Sequence, residues 1–313
     1  MTYSIVARDK KTGEFGVAVQ SHYFQVSPAV PWGLAGVGAV ATQSQVNISY
    51  GPLGLELMQA GYTAEQALRA LTAGDPQAEV RQCAIVDAAG NVAAHTGSKC
   101  IPAAGHKLGD GFSCQANLME KDTVWAAMAD AFESTTEPLA ERMMAALEAA
   151  EAEGGDIRGK QSAAMLVVAG TGTGRPWEDR IIDLRVEDAP EPLSELRRLL
   201  RLKRAYLALG DADHLDESGD HATAKTKLKE ALDIAPELIE IRFWAGLTMA
   251  TSGDLEGGCA LIDEVVRKDG RWRETLRRLV AVDRVTAELA SAIEARLAAP
   301  PPASTRPPRQ AGR

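Results

Sequence analysis

The stretch that decides the fold of this chain is Thr2-Tyr3-Ser4-Ile5-Val6-Ala7-Arg8-Asp9, followed by Glu14-Phe15-Gly16-Val17-Ala18-Val19-Gln20-Ser21. Both runs alternate and are rich in small and β-branched residues, which is typical of β-strands. Lys10 to Gly13, between them, has the composition of a turn. The two runs therefore predict a β-hairpin that starts one residue after the initiator.

This start gives Thr2 a possible chemical role. Methionine aminopeptidase removes an initiator when the second side chain is small, so Thr2 is expected to become the N-terminus. Its free α-amine, with an unperturbed pKa of about 7.7–8.0, would then lie beside its own hydroxyl and accept the hydroxyl proton. Thr2 is thus a candidate nucleophile for attack on an amide. In the alternative interpretation Met1 is retained and Thr2 is only a small residue at a sheet edge.

The rest of the first 188 residues predicts strands and helices in separate blocks. Such segregation favours an α+β fold over alternating βαβ units. We expect a four-layer αββα sandwich, in which two facing sheets lie between two layers of helices. The predicted strands cover residues 37–43, 81–87, 91–96, 112–117, 163–169 and 180–186, and the predicted helices cover residues 54–60, 63–73, 123–132 and 139–153.

The pattern changes after Asp188 and becomes helical. We predict a linker and connecting helix at 189–204, an all-α domain at 205–298 and a disordered Pro-rich tail at 299–313. Within the helical part Gly219-Asp220 recurs as Gly253-Asp254, which is 34 residues later. That period resembles tetratricopeptide repeats. A protein partner bound through these repeats is therefore one expectation.

Composition limits the possible partners and location. The net charge of -9 and the pI near 5.2 argue against sequence-independent binding to nucleic acid or to anionic lipid. No apolar run is long enough for a membrane span, and the first residues do not resemble a secretory signal. We therefore predict a cytoplasmic protein with no nucleic-acid or membrane partner, and apolar helical faces in an acidic chain predict a homo-oligomer.

The cysteines and histidines predict no metal and no cofactor. The four cysteines, Cys83, Cys100, Cys114 and Cys259, do not have the spacing of metal ligands and are interpreted as buried thiols.

Short motifs along the first two thirds of the chain resemble the bacterial family catalogued as domain of unknown function 1028. The motifs are the Thr2 to Asp9 run, Gly36-Val37-Gly38-Ala39-Val40-Ala41-Thr42-Gln43, His95-Thr96-Gly97, Ala104-Gly105-His106, Gln115-Ala116-Asn117-Leu118-Met119, Gly154-Gly155-Asp156 and Asp183-Leu184-Arg185-Val186. The resemblance implies the fold of N-terminal nucleophile hydrolases. In that fold Thr2 Oγ would attack a carbonyl, its own amine would move the proton, and backbone N–H groups would hold the oxyanion.

Two residues join Thr2 in the predicted catalytic set. Hairpin register places Ser21 close to the N-terminus, where it would orient the nucleophile, although a strand-end hydroxyl that caps a turn is an equal alternative. Asn117 follows a strand and carries an amide of the kind that binds oxyanions, and its alternative is a plain turn residue.

The predicted substrate-binding set contains His22, Gln43, Asn47, His106, Gln115, Arg158 and Gln161. Gln115 shares a strand face with Asn117. Gln43 begins the turn Gln43-Ser44-Gln45, whose backbone N–H groups are candidate oxyanion donors because the turn is expected near the start of the first strand. Arg158 would present a guanidinium fork to a substrate carboxylate, or would instead tie its loop to Asp156 or Asp183. For the two histidines the alternatives are an exposed or a purely structural ring.

Two functions from different classes follow. The first is an amidohydrolase that cleaves a linear amide bond in a small molecule or peptide-like compound through Thr2. The second is a non-catalytic scaffold that binds a protein partner through its helical repeats.

Overall fold

The structure is a computed structural model in which residues 2–297 are described. An N-terminal part with two antiparallel sheets and four helices precedes a helical C-terminal part, so the predicted α+β class with a helical extension is confirmed. The prediction that Met1 is removed and the prediction of a disordered tail at 299–313 both lie outside the described residues. Among residues 2–297, no helix is long and apolar enough to cross a membrane.

Ten strands form the two sheets, and every neighbouring pair is antiparallel. The strands are β1 (Thr2–Arg8), β2 (Phe15–Ser21), β3 (Pro31–Leu34), β4 (Gly38–Ser44), β5 (Arg81–Asp87), β6 (Val92–Thr96), β7 (Gly105–Gly109), β8 (Phe112–Asn117), β9 (Ser162–Val168) and β10 (Arg180–Val186). The six-stranded sheet has the order β10-β9-β2-β1-β8-β7, and the four-stranded sheet has the order β3-β4-β5-β6.

Four helices belong to the same part of the chain, namely α1 (Tyr50–Gln59), α2 (Ala64–Ala73), α3 (Val124–Glu133) and α4 (Leu139–Ala152). A capping box at Thr63 and Gln66 starts α2, as the sequence predicts. Helix α1 starts four residues earlier than the predicted residue 54.

The side chains of β1 are buried on both faces of the six-stranded sheet. Tyr3 and Ile5 point to one face, where they join a core cluster with apolar residues of α3 and α4. Val6 points to the opposite face, into a second cluster that the two sheets share. A third cluster joins α1 and α2 to the four-stranded sheet. Because β1 is buried on both faces, its short alternating sequence touches two cores at once.

The chain divides into two compact units between Leu200 and Arg201. Helix α5 (Pro192–Glu217) runs through this division without a break. Its residues up to Leu200 join the core of the first unit, and its residues from Ala205 onward join a core of the second. The second unit continues with α6 (His221–Ile234), α7 (Ile239–Thr251), α8 (Leu255–Lys268), α9 (Arg271–Val280) and α10 (Ala287–Leu297).

The 34-residue recurrence in the sequence is matched by local structure. Gly219 and Gly253 have φ values of +87° and +97°, which only glycine adopts without strain. The aspartate after each glycine caps the next helix, because Asp220 accepts a hydrogen bond from the backbone N–H three residues later at 3.1 Å and Asp254 does so at 3.0 Å. The turns before α6 and α8 therefore have the same construction.

Candidate functional site

Three strand ends meet at Thr2. Thr2 is the first residue of β1, and it pairs with Ser21, the last residue of β2, and with Asn117, the last residue of β8. The antiparallel arrangement of these strands brings the start of one to the same sheet edge as the ends of its two neighbours. The structure thus brings together the three residues of the predicted catalytic set.

The hydroxyl groups of Thr2 and Ser21 are in direct contact. Thr2 Oγ1 lies 3.0 Å from Ser21 Oγ, and either hydroxyl can donate. Thr2 is 5% exposed and Ser21 is fully buried. The candidate nucleophile is therefore held by a fixed partner and remains slightly accessible.

Side-chain amides hold the backbone of Thr2. Gln43 Nε2 donates to the Thr2 carbonyl oxygen at 3.2 Å, and Asn117 Nδ2 approaches the same oxygen at 3.4 Å. The same two nitrogens donate to Gln82 Oε1 at 2.7 and 2.8 Å. Asn117 Oδ1 is buried and has no hydrogen-bond partner among the described residues. The amide N–H groups of Asn117 thus bind protein oxygens, while its acceptor is unmatched.

A second row of buried polar groups supports this arrangement. Ser4 Oγ donates to Gln43 Oε1 at 2.7 Å, and Gln115 Nε2 donates to Ser4 Oγ at 2.6 Å. Ser113 Oγ in turn donates to Gln115 Oε1 at 2.8 Å. The predicted substrate-binding residues Gln43 and Gln115 are therefore fully buried parts of a hydrogen-bond network, which fixes their orientation.

His106 lies at the far end of the same network. Gln82 Nε2 donates to Thr96 Oγ1 at 2.9 Å, and Thr96 Oγ1 lies 2.8 Å from His106 Nδ1. Burial, with a smaller contribution from His95, lowers the pKa of His106 and so favours the neutral ring. The contact between Thr96 Oγ1 and His106 Nδ1, whose donor depends on the tautomer of the ring, links His106 through Gln82 to the amides around Thr2.

Arg158 takes the second of its two predicted roles. Its backbone N–H and its Nε donate to Asp156 Oδ1 at 3.0 and 3.1 Å, and its terminal nitrogen donates to Asp156 Oδ2 at 2.8 Å. His22 follows Ser21 and donates its backbone N–H to the same carboxylate at 3.3 Å. His22 Nδ1 is buried and has no hydrogen-bond partner among residues 2–297. Gln161 lies apart from this carboxylate and donates to Asp188 Oδ1 at 3.2 Å.

Asn47 belongs to a different set of contacts. Its amide nitrogen donates to Asp75 Oδ2 at 3.4 Å, and the same carboxylate accepts from Tyr50 Oη at 3.1 Å and from Arg81 Nε at 2.9 Å. The backbone N–H of Gln77 and then Arg81 lower the pKa of Asp75 to about 2. Through Asp75 these contacts fasten the start of α1 to the start of β5.

Backbone strain is concentrated near the Thr2 edge. Ser44, the last residue of β4, has a φ of +72°, and Leu118, directly after β8, has a φ of +56°. Gln25, in the loop after β2, also has a φ of +56°. Each non-glycine residue with such a positive φ destabilises the folded state by about 1–3 kcal/mol, and such residues often mark functional sites. The neighbouring N–H of Gln45 donates to Val80 O at 3.3 Å, which engages one of the predicted oxyanion donors.

A small pocket of about 50 Å³ opens beside the two hydroxyls. Its lining residues are Thr2, Ser21, Tyr23, Val26, Ala29, Val30, Gln43, Ser44 and Val46. Ser44 belongs to the turn predicted to supply oxyanion donors, whereas Tyr23, the four aliphatic residues and Gln82 are not predicted as site residues from the sequence. The available signal for Gln82 is a polar residue directly before the apolar run Cys83-Ala84-Ile85-Val86 of β5.

Comparison with protein families gives a match over more than half of the chain. Residues 2–196 match the model of a family described as "Family of unknown function (DUF1028)". The chain belongs to this family. The DUF1028 match includes every strand and ends within α5, so α6 to α10 lie beyond it.

A solved structure supports the assignment. The crystal structure of protein SPO2555 from Silicibacter pomeroyi, also described as DUF1028, is 31% identical and has a TM-score of 0.58. The alignment covers 64% of this chain and 84% of that one. No curated protein matches the sequence. Among residues 2–297, no three Cys, His, Asp or Glu side chains form a group that could hold a metal ion.

Proposed function

We propose that this DUF1028 protein is an N-terminal nucleophile amidohydrolase that cleaves a linear amide bond in a small molecule or peptide-like compound. The single observation that carries the proposal is the 3.0 Å contact between Thr2 Oγ1 and Ser21 Oγ at the first residue of a buried central strand. The two facing sheets with helices on their outer faces support an assignment to the four-layer αββα fold of such hydrolases.

In the proposed reaction, removal of Met1 gives Thr2 a free α-amine. Thr2 Oγ forms a bond to the carbonyl carbon while its proton passes to this amine. The C–N bond then breaks, and the leaving nitrogen takes the proton. Water attacks the resulting ester, its proton passes to the amine, and Thr2 Oγ recovers a proton as the carboxylic acid leaves. Ser21 orients the attacking hydroxyl, and the unmatched Asn117 Oδ1 supplies an acceptor suited to an amine N–H.

The test combines intact mass with two matched substitutions. We expect the mature protein to lack Met1 and to hydrolyse simple amides, and we expect Thr2→Ala to fold normally without hydrolysing them. Thr12→Ala, in the exposed hairpin turn, is the control and should keep full activity. Retention of Met1, or full activity of Thr2→Ala, would remove the basis of the proposal.

A second candidate function rests on the helical unit. The matching glycine turns and aspartate caps before α6 and α8 support an assignment to tetratricopeptide-like repeats, which commonly bind protein partners. In this case the helical unit would act as a protein-binding scaffold, alone or beside the hydrolase. A specific partner whose capture survives Thr2→Ala and is lost from a chain without residues 205–297 would support it. Failure of the full chain to retain any partner would count against it.

A further inference from the structure

The pocket beside Thr2 has a chemical character that limits the substrate. Four aliphatic side chains line it, namely Val26, Ala29, Val30 and Val46. The first three are at most 6% exposed, so they form a preformed wall. Every side chain that lines the pocket is uncharged. A carboxylate or ammonium group placed among the aliphatic side chains would lose its hydration without a charged side chain to compensate.

The size of the pocket sets a second limit. A cavity of about 10–15 Å³ holds one water molecule. This pocket has a volume of about 50 Å³. The space therefore takes roughly three to five non-hydrogen atoms. That range fits the three or four aliphatic carbons of a butyryl or isovaleryl group better than a long chain or an aromatic ring.

The order of steps decides which side of the amide occupies the pocket. This inference rests on the proposed function. The amine leaves first, while the acyl group stays bonded to Thr2 Oγ until water attacks. The leaving amine therefore needs the route to solvent, and the acyl group needs the enclosed space. Tyr23, which is 56% exposed, stands at the open side of the pocket, where it can contact the amine portion.

We propose that the substrates are amides of short, uncharged aliphatic acids, and that Ala29 and Val30 set the length of the acyl group. Hydrophobic pockets discriminate by about 10–200-fold for each methylene that does not fit. Ala29→Leu should fill part of the space, and Val30→Ala should enlarge it.

The first test measures hydrolysis across a series of N-acyl amides with one leaving amine. The acyl groups are acetyl, butyryl, isovaleryl, octanoyl, phenylacetyl and succinyl. We expect kcat/KM to be highest for butyryl or isovaleryl and at least tenfold lower for octanoyl, phenylacetyl and succinyl. Ala29→Leu should shift the optimum to acetyl, and Val30→Ala should shift it to a longer chain. Val168→Ala, a buried valine of the same inter-sheet core outside this pocket, should leave the profile unchanged.

The second test measures binding without turnover. We expect isovaleramide to bind the Thr2→Ala variant in ligand-observed NMR, and to bind the double variant Thr2→Ala/Ala29→Leu at least tenfold more weakly. This binding pattern, together with no hydrolysis of any amide of the series by the mature protein, would support the pocket assignment and overturn the proposed chemistry. Stronger binding of succinamate or octanamide, an acyl profile indifferent to both pocket substitutions, or no binding of isovaleramide would overturn the pocket assignment.

Discussion

Replacement of Gln82 by leucine tests whether the buried amides hold the Thr2 site together. Gln82 is fully buried, and its Oε1 accepts hydrogen bonds from Gln43 Nε2 at 2.7 Å and from Asn117 Nδ2 at 2.8 Å. Its own nitrogen donates to Thr96 Oγ1 at 2.9 Å and to the Ala116 carbonyl oxygen at 2.8 Å. Leucine has a similar size, so the substitution removes these polar contacts without a large cavity.

The magnitude follows from the groups left unpaired. A buried donor or acceptor without a partner costs about 1–3 kcal/mol. Gln43 Nε2 loses its shortest acceptor and keeps the carbonyl oxygens of Thr2 and Gln115 at 3.2 and 3.3 Å, and Asn117 Nδ2 keeps the Thr2 carbonyl oxygen at 3.4 Å. We therefore expect Gln82→Leu to lower the free energy of unfolding of the first unit by about 2–5 kcal/mol.

The two compact units can unfold separately. Hydrogen exchange is therefore the better assay, because it measures the opening free energy of each amide. Amides of β1, β4 and β8 should show opening free energies lower by this amount, while amides of α7 and α8 should not change. The control is Gln59→Leu at the exposed end of α1, which should stay within about 0.5 kcal/mol of the parent. A loss below about 1 kcal/mol in Gln82→Leu would refute the reasoning, because it would mean that other groups satisfy the freed amides.

Three further predictions concern single contacts. Ser21→Ala should slow acylation of Thr2 by an ester electrophile, read by intact mass, about 10–100-fold, because the hydroxyl at 3.0 Å no longer orients the nucleophile. The pKa of Asp75 is lower in the folded protein, about 2, than in the unfolded chain, about 4, so its charged form stabilises the fold fully above pH 4 and this stabilisation is lost as the pH falls towards 2. Asp75→Asn should therefore lower Tm at pH 7 and have little effect at pH 2. Gly258→Ala should destabilise the helical unit by about 1–3 kcal/mol, since its Cβ would lie 2.3 Å from a backbone oxygen, whereas Gly210→Ala, with open space around it, should stabilise by about 0.5–1 kcal/mol in urea unfolding.

The sequence predicts the elements whose own pattern carries the signal. The β1–β2 hairpin is observed within one residue of its predicted bounds, because alternation and turn composition are local properties. Strands β3 and β7 are not predicted. Both are short edge strands with glycines and partly exposed side chains, and each is held as a strand by pairing with one inner neighbour. That pairing is a tertiary contact, which propensity does not report.

In the candidate site, too, local sequence patterns predict some contacts, and tertiary packing determines the others. Register alone brings Ser21 opposite Thr2, so its proximity can be predicted from the hairpin. The contacts of Gln82 depend on the packing of one sheet against the other, and no spacing in the sequence expresses that packing. Arg158 had two possible roles because both Asp156 and a substrate carboxylate could satisfy its guanidinium. Only the three-dimensional arrangement shows that Asp156 does so.

The chemistry of the groups around Thr2 explains why amides and hydroxyls suit the proposed reaction better than charged residues. The described side-chain hydrogen bonds at Thr2 involve Ser21, Gln43 and Asn117, all of which are uncharged. A carboxylate in any of these places would stabilise a protonated α-amine and so oppose its use as a base. Neutral amides fix the strand end through hydrogen bonds without adding a negative charge that would favour the protonated amine. Burial alone also disfavours an unpaired charge at these positions, so a layer of buried glutamine and asparagine is compatible both with a stable core and with a catalytic amine.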